Sequence, residues 1–270
     1  MRDYTIYQVD AFADRLFTGN PAAVMVLDAP LPDDLMLAIA AENNLSETAF
    51  VVPEGDAYAI RWFTPSQEAA FCGHATLASA HVLMAELGVS GPLTFTTREV
   101  GTLRVTGSDG RYVLDLPRID ATPMEAIPPA LAEIIPGGWV EVVRNFENIF
   151  VVLATPEAVR AFAPNAARIA ALGEGCLAVT AAGGTDHDGN PVDFVSRYFA
   201  PGHGIEEDPV TCSTHATLAP YWAGRLGRDE LTAFQDSARG GRVGCRVTAD
   251  RVALTGQAVT YLKGSIRLPV

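Results

Sequence analysis

Three short segments carry side chains whose types and spacing could move a proton. In the first, Ser46 and Glu47 enter an apolar stretch that continues through Ala49 and Phe50. A carboxylate partly withdrawn from water holds its proton more tightly, which suits a group that must take and return one near neutrality. Taken alone, the segment reads more readily as an edge-strand Glu facing solvent. The second segment is Cys72-Gly73-His74-Ala75-Thr76. Gly73 permits close approach of a ligand to the backbone, and the amides of Gly73, His74 and Ala75 would open a helix whose N-terminus attracts a carboxylate. A structural turn with a satisfied His fits that segment equally. The third places Glu206, Glu207 and Asp208 ahead of a second helix start marked by Ser213 and Thr214, both good caps. Asp208-Pro209 is an extended dipeptide that could aim the Asp208 carboxylate, whereas Glu206 and Glu207 read as a flank that complements the helix dipole. No His or Asp set at helical spacing completes a metal site around the three acids.

These segments sit in two related halves. Arg61-Trp-Phe-Thr-Pro65 is echoed by Arg197-Tyr-Phe-Ala-Pro201, and His74-Ala-Thr-Leu-Ala78 by His215-Ala-Thr-Leu-Ala219. Each copy ends near a Leu-Gly, at Leu87-Gly88 and Leu226-Gly227. A shared order of strand, Pro, polar loop, Cys and apolar helix predicts two half-domains of one topology, residues 1–118 and 119–270, with the extreme C-terminus able to pack back on the first. The crossing falls in the Pro-rich stretch Pro117–Pro129. Strands are expected at Tyr4–Phe12, Ala22–Leu27, Thr48–Val52, Tyr58–Thr64, Leu93–Thr106 and Tyr112–Leu116. Asp33–Asn43 reads as an amphipathic helix, and Gly73–Leu87, apolar nearly all round, as a buried central one. In the second half, helices are expected near Pro156–Phe162 and Ala166–Ala171, and strands at Leu177–Ala181, Asp193–Phe199, Gly244–Thr248 and Val252–Gly256. If the halves are pseudo-symmetric, both helix N-termini face one anion-binding cleft between the domains.

Bulk properties narrow the class. The 270 residues carry a formal charge of −13, so the surface repels phosphate backbones and nucleic-acid binding is not expected. No apolar run approaches the length needed to span a bilayer, and the N-terminus lacks a signal-peptide core. The cysteines, Cys72, Cys176, Cys212 and Cys245, form no CxxC pair, which argues against zinc and a disulfide framework. A reducing cytoplasm is the expected location.

The sequence resembles the PhzF-like family of phenazine biosynthesis, within the diaminopimelate-epimerase-like fold. The resemblance is carried by Tyr7–Phe12 with Gly19-Asn20-Pro21, Asn44–Phe50, Phe63-Thr64-Pro65, Cys72–Thr76, Glu207–Thr211 with His215, and Leu218–Trp222. It covers essentially the whole chain. It implies an α+β fold in which each half curls a mixed sheet around a central helix, with the active site between the halves. It implies a catalytic glutamate at Glu47, supported by Ser46, Gly73, His74, Asp208 and Ser213. The best-known member isomerises a dihydro-hydroxyanthranilate without metal or organic cofactor, and homodimers are usual. The expected activity is therefore proton transfer within a small carboxylate-bearing substrate. One departure opens an alternative: Thr211-Cys212-Ser213 stands where the familiar pattern is Thr-Gly-Ser. Related epimerases and racemases use one cysteine at each helix start, and Cys72 and Cys212 occupy roughly those places, where a helix N-terminus favours thiolate. A small buried Cys is the plainer account of Cys212, and a non-catalytic binder of small carboxylates is a third possibility.

Overall fold

The computed structural model describes residues 1–172 and 176–269. The chain divides into two compact units: Met1–Asp115 together with the chain from Thr255 on, and Leu116–Leu254.

In the first unit, Arg2–Ala11 pairs antiparallel with Asn20–Val26, which pairs parallel with Glu47–Glu54, itself antiparallel to Ala57–Phe63. Ala57–Phe63 then pairs antiparallel with Glu68–Ala69 and parallel with Leu93–Thr96, which is antiparallel to Thr102–Ser108. Arg111–Pro117 follows antiparallel. The long strand Arg251–Leu268 pairs with both Arg2–Ala11 and Arg111–Pro117, so the strand order closes on itself. The central helix Gly73–His81 is buried at every residue. Its Gly, Ala, Ser and Thr side chains are small enough for the surrounding strands to approach closely, and its hydroxyls are satisfied within the helix. Thr76 Oγ1 donates to the Cys72 carbonyl at 2.6 Å and Ser79 Oγ to that of Ala75 at 2.7 Å. The amphipathic helix occupies Asp33–Asn43, and its Met36, Ile39 and Ala40 join the core with Met25, Phe50 and Phe63.

The second unit repeats this order. Glu141–Arg144, Ile149–Val152, Leu177–Ala182 and Phe194–Ala200 pair antiparallel, parallel and antiparallel in turn. Phe194–Ala200 then pairs antiparallel with Ile205–Asp208 and parallel with Glu230–Gln235, which is antiparallel to Gly241–Val247. Its central helix is Cys212–Leu226. The same guanidinium device recurs in each unit. Arg61 forks onto Glu68 at 2.7 and 2.6 Å and lies 5.0 Å from the Phe63 ring centroid. Arg197 forks onto Glu207 at 2.7 and 2.9 Å and lies 5.0 Å from that of Phe199. The fold is thus α+β, two pseudo-symmetric halves each built on a mixed sheet and a central helix.

Several expected elements change. The stretch Leu93–Thr106 is two strands, because Gly101 at φ +76° and the Thr97 hydroxyl, which accepts the Val100 N–H, turn the chain between them. The helix from Gly73 remains α-helical only to His81 and continues as a π-helical turn over Val82–Glu86. The strand expected at Val252–Gly256 runs from Arg251 to Leu268, and the chain passes from the second unit to the first within it. The strands at Glu141–Arg144, Ile149–Val152 and Glu230–Gln235 are short and carry no sharp alternation, so periodicity missed them.

Candidate functional site

Glu47 is delivered by the helix-to-strand turn. The helix ends with Asn44 in the left-handed region, φ 50°, and Asn43 Nδ2 donates to Thr48 Oγ1 at 3.0 Å across the turn. Glu47 then opens its strand in register with Ala22 and is only 9% exposed, so the solvent-facing reading does not hold. Ser46, beside it in the turn, is half-buried.

His74 stands on the first turn of the central helix, 4% exposed. Its Nε2 lies 3.4 Å from Glu47 Oε2, a contact not yet closed into a hydrogen bond. Its Nδ1 lies 3.2 Å from Asn20 Nδ2 and 3.4 Å from Cys72 Sγ. Nδ1 thus faces the Asn20 amide and the Cys72 thiol, Nε2 faces Glu47, and the neutral ring has a single N–H to place on one of the two. Burial lowers the imidazole pKa to about 3, opposed in part by the Pro21 carbonyl. His74 is therefore neutral near pH 7, and its contact with Glu47 joins a neutral imidazole to a carboxyl group. Gly73 is buried in ordinary helical backbone, and Cys72, the residue before the helix, is 5% exposed.

Asn20 was not singled out from the sequence as a site residue. The available signal was Gly19-Asn20-Pro21: Gly19 sits at φ +65°, where a Cβ would lie 2.1 Å from the Ala11 carbonyl oxygen. Only glycine allows this close approach to Ala11 at the point where the chain enters the strand that carries Asn20 to the imidazole.

In the second unit, Asp208 is 7% exposed at the end of its strand, and Thr211 Oγ1 donates to its Oδ2 at 2.5 Å. The cap residue of the central helix is Thr211; the helix runs from Cys212, so the expected caps Ser213 and Thr214 lie inside its first turn. Ser213 is half-buried and Cys212 is 4% exposed. Glu207 does not flank the helix dipole. It is held by the fork from Arg197, while Glu206 is exposed, so the three acids do not form a cluster. His215 is fully buried, donates from Nδ1 to the Thr211 carbonyl at 2.8 Å, and has its pKa lowered to about 4 by burial. Among the described residues, the ligand atoms of Glu47, Cys72 and His74 lie within 4.8 Å of one another, a group that could hold a metal ion. None of the described helices is long and apolar enough to cross a membrane.

A mixed sheet curled about a buried helix, twice over, is the epimerase-like α+β fold. A probable proline racemase from Agrobacterium radiobacter shares it, with a TM-score of 0.65 over 99% of this chain and 93% of that one, at 12% identity. The family is narrower: residues 9–264 match the phenazine biosynthesis-like (PhzC-PhzF) family, and the chain belongs to it. A PhzF-family protein from Enterococcus faecalis superposes with a TM-score of 0.93 at 43% identity, over 99% of this chain and all of that one. An uncharacterized isomerase of Pseudomonas aeruginosa is 48% identical over 97% of this chain and 98% of its own length.

Proposed function

We propose that the protein is an isomerase that moves a proton within a small carboxylate-bearing substrate, with Glu47 as general acid and base. The observation that carries this reading is the nearly buried Glu47 carboxyl group facing the neutral imidazole of His74 at 3.4 Å. A carboxylate beside a permanent cation gives up its proton too readily to return it. The neutral imidazole of His74 puts no such cation beside Glu47. In this reading His74 and Ser213 donate hydrogen bonds to substrate, Asp208 orients a polar or amino group on it, and Ser46 and the Gly73 amide line the site. Preorganised donors of this kind stabilise the enolate-like charge that develops during abstraction.

The test is incubation with a panel of amino and hydroxy acids in D2O, watching carbon-bound protons by NMR. The Glu47→Gln variant should keep the fold and ligand binding and lose turnover by ~10³-fold, within the usual range for a general base. Near-wild-type turnover in that variant would end the assignment, and no deuteration at high protein concentration would favour a non-catalytic carboxylate binder. A second reading, an epimerase using Cys72 and Cys212, draws on the Cys72 Sγ to His74 Nδ1 distance of 3.4 Å. It requires turnover to fall in Cys212→Gly. The reading further includes independence from cofactors, a homodimeric state to be checked by light scattering, and a cytoplasmic location.

A further inference from the structure

Gln235 ends the strand Glu230–Gln235, is fully buried, and is held between Ser196 on one neighbouring strand and Gly241 on the other. Its side chain reaches Asp208 and the three residues, 209–211, that lead from it into the central helix of the second unit. There Oε1 accepts the Thr211 N–H at 2.9 Å, while Nε2 donates to the Asp208 carbonyl at 2.6 Å and to Thr211 Oγ1 at 3.2 Å. A backbone N–H and a backbone carbonyl on opposite sides leave one orientation for the amide, so its oxygen and nitrogen are assigned by their partners. Thr211 Oγ1 receives the amide hydrogen with one lone pair and is thereby turned to donate its own proton to Asp208 Oδ2 at 2.5 Å. The next turn adds a second fastening, Ser237 Oγ donating to the Pro209 carbonyl at 3.0 Å.

We propose that Gln235 is a positioning residue: through Thr211 it sets the direction and the proton affinity of the Asp208 carboxylate. This deepens the role given to Asp208 above and rests on that reading only for its effect on turnover. The chemistry is specific to an amide. A Glu at this position could still accept the Thr211 N–H, but its second oxygen would face the Asp208 carbonyl and the Thr211 hydroxyl, both of which need a donor. It would be satisfied only by retaining its own proton, or by turning the Thr211 hydroxyl away from Asp208 and toward itself. A methionine would remove all three hydrogen bonds at nearly constant volume.

The test is the titration of Asp208 in the full-length protein, followed by carboxyl ¹³C NMR with ¹³C-aspartate labelling and assigned with Asp208→Asn. The titratable groups around it are Tyr198, its partner across the strand ladder, with Glu147 and Cys176 interacting with Tyr198 in turn, Cys212 on the helix, and Asp236 next to Gln235. These are common to the wild type and both variants. Loss of an oriented hydrogen bond to a carboxylate raises its midpoint by about 1 pH unit, so Gln235→Met, which adds no charge and no donor, should titrate Asp208 higher by that amount. A midpoint within about 0.2 pH units of wild type in folded Gln235→Met would overturn the proposal, because a residue that merely fills the core would lower stability and leave Asp208 where it was. The titration needs no turnover, so the fate of Glu47→Gln does not bear on it. Once a substrate is in hand, the acid limb of the kcat/KM profile in Gln235→Met should move with the NMR midpoint; an unmoved limb would remove Gln235 from the reaction.

Discussion

The two histidines buried without charge make stability fall on mild acidification. An imidazole in the unfolded chain titrates near 6.5, whereas burial holds His74 at about 3 and His215 at about 4. Between these limits the unfolded state carries protons that the folded state refuses, so unfolding takes up protons and stability rises with pH. The contribution is complete above pH 6.5 and is lost progressively below it. The slope for each group approaches about 1.4 kcal/mol per pH unit as the unfolded imidazole becomes protonated, so from pH 7 to 5 the pair together removes about 4 kcal/mol. His81, also lowered by burial, acts in the same direction. The carboxylates held low by ion pairs, Asp33 and Glu68 beside Arg61, begin to lose their share only as pH falls through the ordinary carboxylate values of 3.8 and 4.5. Between pH 6.5 and 5 these ion-paired carboxylates are therefore silent. Against a typical stability of 5–15 kcal/mol, a loss of about 4 is a large part of the whole. The assay is urea unfolding at pH 7, 6.5, 6, 5.5 and 5, followed by ¹⁹F NMR of fluorotryptophan. Trp62 reports the first unit, and Trp139 and Trp222 the second. His215→Asn, which retains a donor for the Thr211 carbonyl, should lower the uptake reported by the second unit by about one proton. A stability curve flat from pH 7 to 5, or rising on acidification, would refute the neutral-histidine argument for both sites.

Three further outcomes follow from the same geometry. Gly19→Ala would press a Cβ to 2.1 Å from the Ala11 carbonyl at φ +65°; it should cost about 3 kcal/mol in urea unfolding and disturb the Asn20 contact with His74. Arg197→Ala would strip the fork from Glu207 and the 2.5 Å hydrogen bond from the Phe162 carbonyl. Its expected cost is about 2 kcal/mol, less than for a fully buried pair because the Glu207 side chain keeps 23% exposure, and Arg197→Lys should recover only part of it. Dialysis against EDTA should leave turnover within about twofold, as in acid–base catalysis without metal; a deep loss restored by Zn²⁺ would instead implicate Glu47, Cys72 and His74 as ligands.

Much of this arrangement is legible in the sequence. Helix boundaries came from physical signals: Pro32 and two acidic residues open Asp33–Asn43, and the apolar run from Gly73 predicts a helix buried on all sides. Glu47 was recognisable through the segments around it and the resemblance they carry, not through its own neighbours. What stayed hidden depends on pairing across long separations. Asn20 reaches His74 across 54 residues, and Gln235 reaches Asp208 across 27. Both are amides on strands, and nothing in local periodicity separates an amide that fastens a helix start from one that faces water. The π-helical turn is hidden for a related reason, because its i to i−5 bonds do not change the apolar pattern that predicts a helix.

The repeat itself needs a different register from the one the pentapeptides suggest. His74-Ala-Thr-Leu-Ala78 and its copy are 141 residues apart, yet the forked acids Glu68 and Glu207 are 139 apart, as are the caps Cys72 and Thr211 and the left-handed glycines Gly88 and Gly227. Helix starts and stops are set by backbone conformation, so they mark equivalence more firmly than a short run of small residues that any buried helix favours. In that register Cys72 corresponds to Thr211, Gly73 to Cys212, and His74 to Ser213. The two cysteines are then not equivalent positions, and a paired-thiol site would have to be assembled from unlike places in the two halves. The strand that opens with Glu47 in the first unit opens with Leu177 in the second. The halves share one topology and differ in the side chains at their helix starts. The first brings a carboxylate, an imidazole and a thiol within 4.8 Å of one another, whereas the second holds the Asp208 carboxylate by the Thr211 hydroxyl, with Cys212 and His215 on the helix that follows. Equal contributions from the two helix starts would require titratable groups at 177 and 213, and neither Leu177 nor Ser213 supplies one near neutral pH.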